Sequence, residues 1–306
     1  MVTRYVGWGF VARVVAVHGI NNTYSGPRSM AEDWVPALLD GIDLAGHAGA
    51  LGPDDVGCVF YGDLFRKPGR VLGDEDLAVL GPEDVSDPAD REVLAAWWRA
   101  AAGSDPGVVP PGARTLGPVA GVQAALAALS GSRFLAGTTE RLLILWLRQV
   151  RAYFTQPGLR EQIQQRFSAA IGADTEVVVA HSLGSVVAYE GLCAHPQWNV
   201  RGLVTLGSPL GIRNIIVDRL NPAPQQVAGS WRAVWPRPLM SWVNVADQAD
   251  FAALFKRLGV IFGEAVVDVE IDNGARMHQV TRYLTAHETG AAIIGALNGQ
   301  LAGSDG

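Results

Sequence analysis

The 306-residue chain is predicted to be an α/β protein with a mostly parallel central sheet and helices on both faces. Three observations predict this. Runs such as Val177-Val178-Val179 are uniformly apolar and β-branched, as strands buried on both faces are. They alternate with longer segments of helical periodicity, the pattern of β-α-β units. Finally, that same strand passes through Ala180-His181-Ser182-Leu183-Gly184 into a helix beginning Ser185-Val186-Val187-Ala188-Tyr189. This is a sharp strand-to-helix corner with a serine at its apex.

Composition narrows the function classes. Hydrophobic residues make up 49% of the chain, enough for a sizeable core, and the net charge of −6 comes without a basic cluster along the sequence. Nucleic acid is therefore not expected as a partner. The two cysteines, Cys58 and Cys193, have neither metal-ligand spacing nor a disulfide framework around them. They read as buried thiols in a reducing compartment. The apolar run after Arg4 flows into the first strand without a cleavage site, so a cytoplasmic protein is expected. No uninterrupted apolar run reaches a membrane span.

In chain order, Ala12 to Val17 is predicted as a strand ending in His18-Gly19-Ile20. A helix follows over Arg28 to Asp40, with Met30, Trp34, Ala37 and Leu38 at helical spacing. Asp55 to Tyr61 reads as the second strand, closing in Gly62-Asp63. Residues 74 to 90 carry seven acids and no base, which reads as a solvated loop. Two helical stretches come next, Val93 to Ala102 with Trp97-Trp98 and Val119 to Leu129. The whole of 62–137 is too long for a bare connection and reads as an inserted helical cap or lid within one domain spanning 1–306. Trp97, Trp98 and Phe134 either line its inner face or glue it to the core. Thr138 is expected to cap a helix over Glu140 to Phe154, apolar almost all round and hence buried. Its few bases, Arg141, Arg148 and Arg151, give little support to a membrane-surface role. A helix over Arg160 to Ile171 precedes the Val177 strand. Three more strands are expected at Arg201 to Leu206, around Trp242 to Ala246, and at Ala265 to Ile271.

The corner carries the chemistry. A serine there projects its hydroxyl above the sheet, and the residues two before and two after it must be small because strand and helix backbones meet. Ala180 and Gly184 satisfy this, and Leu183 N–H lies at a helix N-terminus where it can stabilise an oxyanion. Ser182 is the candidate nucleophile. For the acid, Asp63 precedes the serine and reads as a turn residue, while Asp247 and Asp250 follow a late strand. Among the histidines, His278 lies in a loop just past the last strand and His287 where the last helix should already run. His18 reads as a packed imidazole, and His47 and His195 as solvated loop residues.

With these motifs in place, the chain resembles the α/β-hydrolase superfamily, particularly its lipase and esterase branches, from about residue 12 to 302. The resemblance rests on the His18-Gly19-Ile20 loop, the Ser182 corner, the 242–253 strand end and the His278 to Tyr283-Leu284 segment. It implies an α/β-hydrolase fold with Ser182, Asp250 and His278 as a triad in the chain order of that fold. Asp250 is preferred to Asp247, because in the family a later acid faces the histidine while an earlier one starts the turn. It also implies that Ile20 N–H joins Leu183 N–H as oxyanion donor. Ala180 departs from the commoner glycine, and the 62–137 insertion matches nothing in the family. The expected activity is hydrolysis of a carboxylic ester, with an apolar acyl group, needing no metal or organic cofactor. The expected partner is thus a small ester or acyl substrate, with peripheral membrane contact left open. Acyl transfer or thioester cleavage by the same residues, and a non-catalytic lipid- or ligand-binding role on the same scaffold, are the rival expectations.

Overall fold

A computed structural model describes residues 12–20, 22–23, 25–66, 81–112, 118–130, 140–227, 229–237 and 239–300. Much of the expected acidic run (74–80), Phe134 and Thr138 lie outside them. The strands are β1 (Val14–Val17), β2 (Val56–Val59), β3 (Val177–His181), β4 (Gly202–Leu206), β5 (Gln225–Val227), β6 (Ser230–Arg232), β7 (Ser241–Asp247) and β8 (Val266–Ile271). Six of them form one sheet in the order β2-β1-β3-β4-β7-β8, and every neighbouring pair is parallel. The sheet expected to be mostly parallel is entirely so. β5 and β6 form a separate antiparallel hairpin, which the sequence reading did not anticipate.

The helices are α1 (Pro27–Leu44), α2 (Pro88–Ser104), α3 (Pro118–Ser130), α4 (Glu140–Thr155), α5 (Leu159–Ala170), α6 (Leu183–Ala194), α7 (Gly259–Phe262), α8 (Val280–Leu284) and α9 (His287–Leu297). The period-2 alternation of the strands divides the core in two. Val14, Ala16, Val177, Val179, Val204 and Leu206 face α1 and α9 through Trp34, Leu38 and Ile293. Val15, Val17, Val178, Ala180 and Leu203 face α5 and α6 through Ile163, Phe167 and Val186. Each fully buried aliphatic side chain contributes about 1.5–3 kcal/mol. A one-residue slip of any central strand would exchange the two faces, so register is strongly specified.

The helices between β2 and β3 pack on one another. Asp87 caps α2, its Oδ1 accepting from Ala89 N–H at 2.8 Å, with Pro88 in the first turn where its missing N–H costs nothing. Trp97 of α2 packs against Trp146 of α4, the rings tilted by 34° with centroids 4.6 Å apart. Arg151 of α4 pairs with Asp87 at 2.9 Å and Asp90 at 2.5 Å. As its composition predicts, α4 is enclosed: no residue from Leu143 to Phe154 is exposed. Glu190 of α6, buried, ties three elements together. It accepts from Tyr153 Oη at 2.6 Å, Arg160 Nε at 2.9 Å and Asn221 N–H at 3.1 Å. Burial pushes its carboxyl up while Arg160 pulls it down.

Candidate active site

The sheet order locates the site. β1 is followed by β2 on one side, whereas β3 lies on its other side, so the connections diverge between β1 and β3. In open parallel sheets, ligands bind at such a switch point, beyond the C-terminal strand ends. Four segments leave those ends: the His18 loop after β1, Ser182 after β3, the Asp250 loop after β7 and the His278 segment after β8.

Ser182 sits between β3 and α6 with φ 52° and ψ −128°, a conformation costing a non-glycine residue about 1–3 kcal/mol. The surroundings impose it. Ser182 N–H donates to Leu206 O at 2.9 Å, and Ser182 O accepts from Ser185 N–H at 2.9 Å and Ser185 Oγ at 2.6 Å. Ser185 Oγ in turn lies 2.7 Å from Ser208 Oγ, which accepts from Leu210 N–H at 3.2 Å. This hydroxyl chain fastens the corner to the loop after β4. The small residues are needed: a Cβ on Gly184 would come within 2.5 Å of the Val17 and His18 carbonyl oxygens.

The three predicted side chains meet. His278 Nε2 lies 3.2 Å from Ser182 Oγ, and His278 Nδ1 lies 2.8 Å from Asp250 Oδ2. Asp250 is completely buried. Its Oδ1 accepts from Ala252 N–H at 2.8 Å and its Oδ2 also accepts from Tyr283 Oη at 2.6 Å. With donors facing both oxygens, the carboxylate accepts the Nδ1 proton and leaves Nε2 free to accept from the serine. Tyr283 Oη itself accepts from Asp247 N–H at 2.9 Å, and its acidity is pushed well down by burial and by the Asp250 charge. Asp247 does not reach the imidazole. It caps turns instead, accepting from Ala249 N–H at 2.7 Å and from Asn273 N–H.

Gly207 makes room for the acid. It adopts φ 54°, and a Cβ there would approach Asp250 Oδ2 to 2.5 Å. Gly19 plays the same part beside Ser182, since a Cβ there would lie 2.4 Å from Ser182 Cβ. Ile20 follows Gly19, and Leu183 is the first residue of α6, where helix geometry leaves amides without an intrahelical partner. The close packing of Gly19 on Ser182 brings the His18-Gly19-Ile20 loop against the α6 N-terminus.

His18 is a packed imidazole, as expected. Its Nε2 accepts from Tyr61 N–H at 3.0 Å, its Nδ1 lies 2.5 Å from Gly19 O, and its ring stacks on Tyr61 at 4.0 Å. Burial lowers its pKa to about 4. His181 escaped the sequence reading because it stands at the variable position before the serine. It is buried, with its ring 4.6 Å from that of His278 on one side and edge-on to Trp34 at 6.2 Å on another. Burial first, and the nearby imidazoles His278 and His18 next, hold it well below the usual histidine range. On its other side, His278 meets the Phe251 ring at 4.6 Å, and Phe251 meets Trp97 at 5.7 Å. Trp97 therefore glues α2 to the core and also reaches the residue covering His278.

The rejected candidates lie elsewhere. Asp63 sits in a short turn with its Oδ2 2.9 Å from an Arg166 nitrogen, which holds its carboxyl below the usual range. His47 and His287 are exposed, and His287 begins α9. His195, expected to be solvated, is instead half-buried against Trp198 at 4.3 Å. Cys58 and Cys193 are free thiols, pushed by burial to about 12 and about 11.

Comparison of the chain with protein-family models, with curated proteins and with solved structures finds no match. No helix among the described residues is long and apolar enough to cross a membrane.

Proposed function

We propose that the chain is a serine hydrolase of the α/β-hydrolase type that cleaves a carboxylic ester through an acyl-enzyme. The supporting observation is the continuous relay Ser182 Oγ–His278 Nε2 at 3.2 Å and His278 Nδ1–Asp250 Oδ2 at 2.8 Å, ending on a buried carboxylate. In this reading His278 Nε2 takes the Ser182 proton as Oγ attacks the carbonyl carbon. Asp250 keeps Nδ1 protonated and stabilises the imidazolium that forms. The Ile20 and Leu183 amides hold the tetrahedral oxyanion, each such donor contributing about 3 kcal/mol. As the intermediate collapses, His278 gives its proton to the leaving alcohol. Water then attacks the acyl carbon, losing a proton to His278, and the carboxylic acid departs as Ser182 regains its hydrogen.

The reading extends to the whole chain as one domain, 1–306, with 62–137 inserted as a cap. Trp97 against Phe251, which itself covers His278, and the aromatic pair Trp97–Trp146 behind it support an apolar acyl group in the substrate. No metal or organic cofactor enters the chemistry. Steady-state hydrolysis of p-nitrophenyl esters of increasing chain length tests the reading. Ser182→Ala and His278→Ala should each lose about 10⁴-fold or more in kcat. Unchanged rates in either variant would remove that residue from the mechanism.

A further inference from the structure

A groove of about 810 Å³ lies between the β5–β6 hairpin, the loop after β4 and the loop after β7. Arg213, Arg232 and Arg257 line it together with Trp231 and Leu254. The chain as a whole carries a net charge of −6, so three arginines lining one groove need an explanation. All three are exposed, and none forms an ion pair with another described residue. Arg213 is laid over the Trp231 ring at 5.5 Å, a cation–π contact that orders it without neutralising it. Arg232 uses one N–H on Val260 O at 3.2 Å and keeps its other donors.

Two acids also line the groove, Glu264 and Asp268. Asp268 is already committed, accepting from Asn244 Nδ2 at 2.9 Å, Leu258 N–H at 2.9 Å and Gly259 N–H at 3.0 Å. Glu264 is exposed to solvent. Three guanidiniums against these two carboxylates leave the groove positive.

Two residues lining the groove stand close in sequence to residues packed beside the candidate site. Leu254 follows three residues after Phe251, whose ring contacts His278. Ala100, which also lines the groove, is one α2 turn, about 5 Å, beyond Trp97, which packs on Phe251.

We propose that the groove binds the phosphate of a phosphate-bearing ligand. Planar guanidinium forks match the oxygens of a phosphate bidentately, and three of them suit a dianion better than a single carboxylate. The reaction at Ser182 rests on the serine-hydrolase reading, whereas binding rests on the groove alone. Such a phosphate has two sources, a phospholipid headgroup or the phosphorylated carrier of a thioester.

Calorimetric titration of Ser182→Ala protein separates these without turnover. The probes are 1,2-dibutyryl-glycerol-3-phosphate, butyryl-coenzyme A and, as phosphate-free control, dibutyrylglycerol. At least one phosphate probe should bind about tenfold or more tighter than the control, and the tighter of the two identifies the source. That advantage should shrink with added salt and disappear in the Arg213→Gln/Arg232→Gln/Arg257→Gln protein. The same triple substitution in the native background should hydrolyse p-nitrophenyl butyrate at the unaltered rate. No preference for either phosphate probe, or a preference that survives the triple substitution, would overturn the proposal. Phosphate-selective binding in a protein that hydrolyses no ester would instead sink the hydrolase reading and leave the groove standing.

Discussion

Under the proposed mechanism, exchanging either loop acid for its amide should separate a catalytic carboxylate from a structural one three residues away. Asp250 Oδ1 meets one donor, Ala252 N–H, whereas Oδ2 meets two, Tyr283 Oη and His278 Nδ1. In Asp250→Asn the amide nitrogen therefore turns toward Ala252, where a single donor is left unpaired at about 1–3 kcal/mol. The amide oxygen can still accept from Nδ1, but the negative charge that stabilised the imidazolium is gone. The expected loss in kcat is about 10³–10⁴-fold with the fold retained. Asp247→Asn breaks at least one of the bonds to Ala249 and Asn273, costing about 1–3 kcal/mol of stability. Since Asp247 does not reach the imidazole, its kcat should stay within a few-fold of wild type. The assay is p-nitrophenyl butyrate hydrolysis alongside urea unfolding for both variants. An inactive Asp247→Asn beside an active Asp250→Asn would refute the assignment of the acid.

Other perturbations probe the surroundings. Gly19→Ala and Gly207→Ala insert a Cβ 2.4 Å from Ser182 Cβ and 2.5 Å from Asp250 Oδ2. Both should lose at least about tenfold in kcat/KM, since reacting groups displaced by ~1 Å lose more than that, and activity at the wild-type level in either would contradict the packing. Trp97→Ala should cost about 3–5 kcal/mol, and Trp97→Phe less because the lost indole N–H is buried without a partner; equal urea midpoints for the two would count against it. His18 is neutral in the folded chain with a pKa near 4 against about 6.5 unfolded, so the unfolded state binds its proton first on acidification. Its contribution of about 3 kcal/mol is present above pH 6.5 and is lost as pH falls towards 4. Stability measured from pH 7 to pH 4 should fall less steeply in His18→Asn than in wild type, and parallel slopes would exclude this linkage.

Much of the framework was legible because local signals and burial agree. The β-branched run of β3 and the small residues flanking Ser182 each have one structural use, and both are found in it. His278 was legible by its place after the last strand. The choice between Asp247 and Asp250 was not readable from composition or periodicity, since Asp247 ends β7 and Asp250 stands only three residues beyond it. It depended on the family resemblance, and in the structure it turns on which carboxylate faces the imidazole. Tyr283 stood out only as part of a Tyr-Leu pair, yet its hydroxyl bridges Asp247 N–H and Asp250 Oδ2. Gly207 carried no signal, because its need for φ 54° arises only when the β7 loop packs over it. The arginine groove was invisible for a similar reason. Arg213, Arg232 and Arg257 are far apart in a sequence without a basic cluster, and tertiary structure alone gathers them.

The central claim is that Ser182 is a nucleophile activated by His278. It is tested most directly by treating the protein with a fluorophosphonate and locating the adduct by peptide mass spectrometry. The account predicts one adduct, on the peptide containing Ser182, absent from Ser182→Ala and slowed by about 10³-fold or more in His278→Ala. An adduct that persists on another serine in Ser182→Ala, or a labelling rate indifferent to His278, would contradict it.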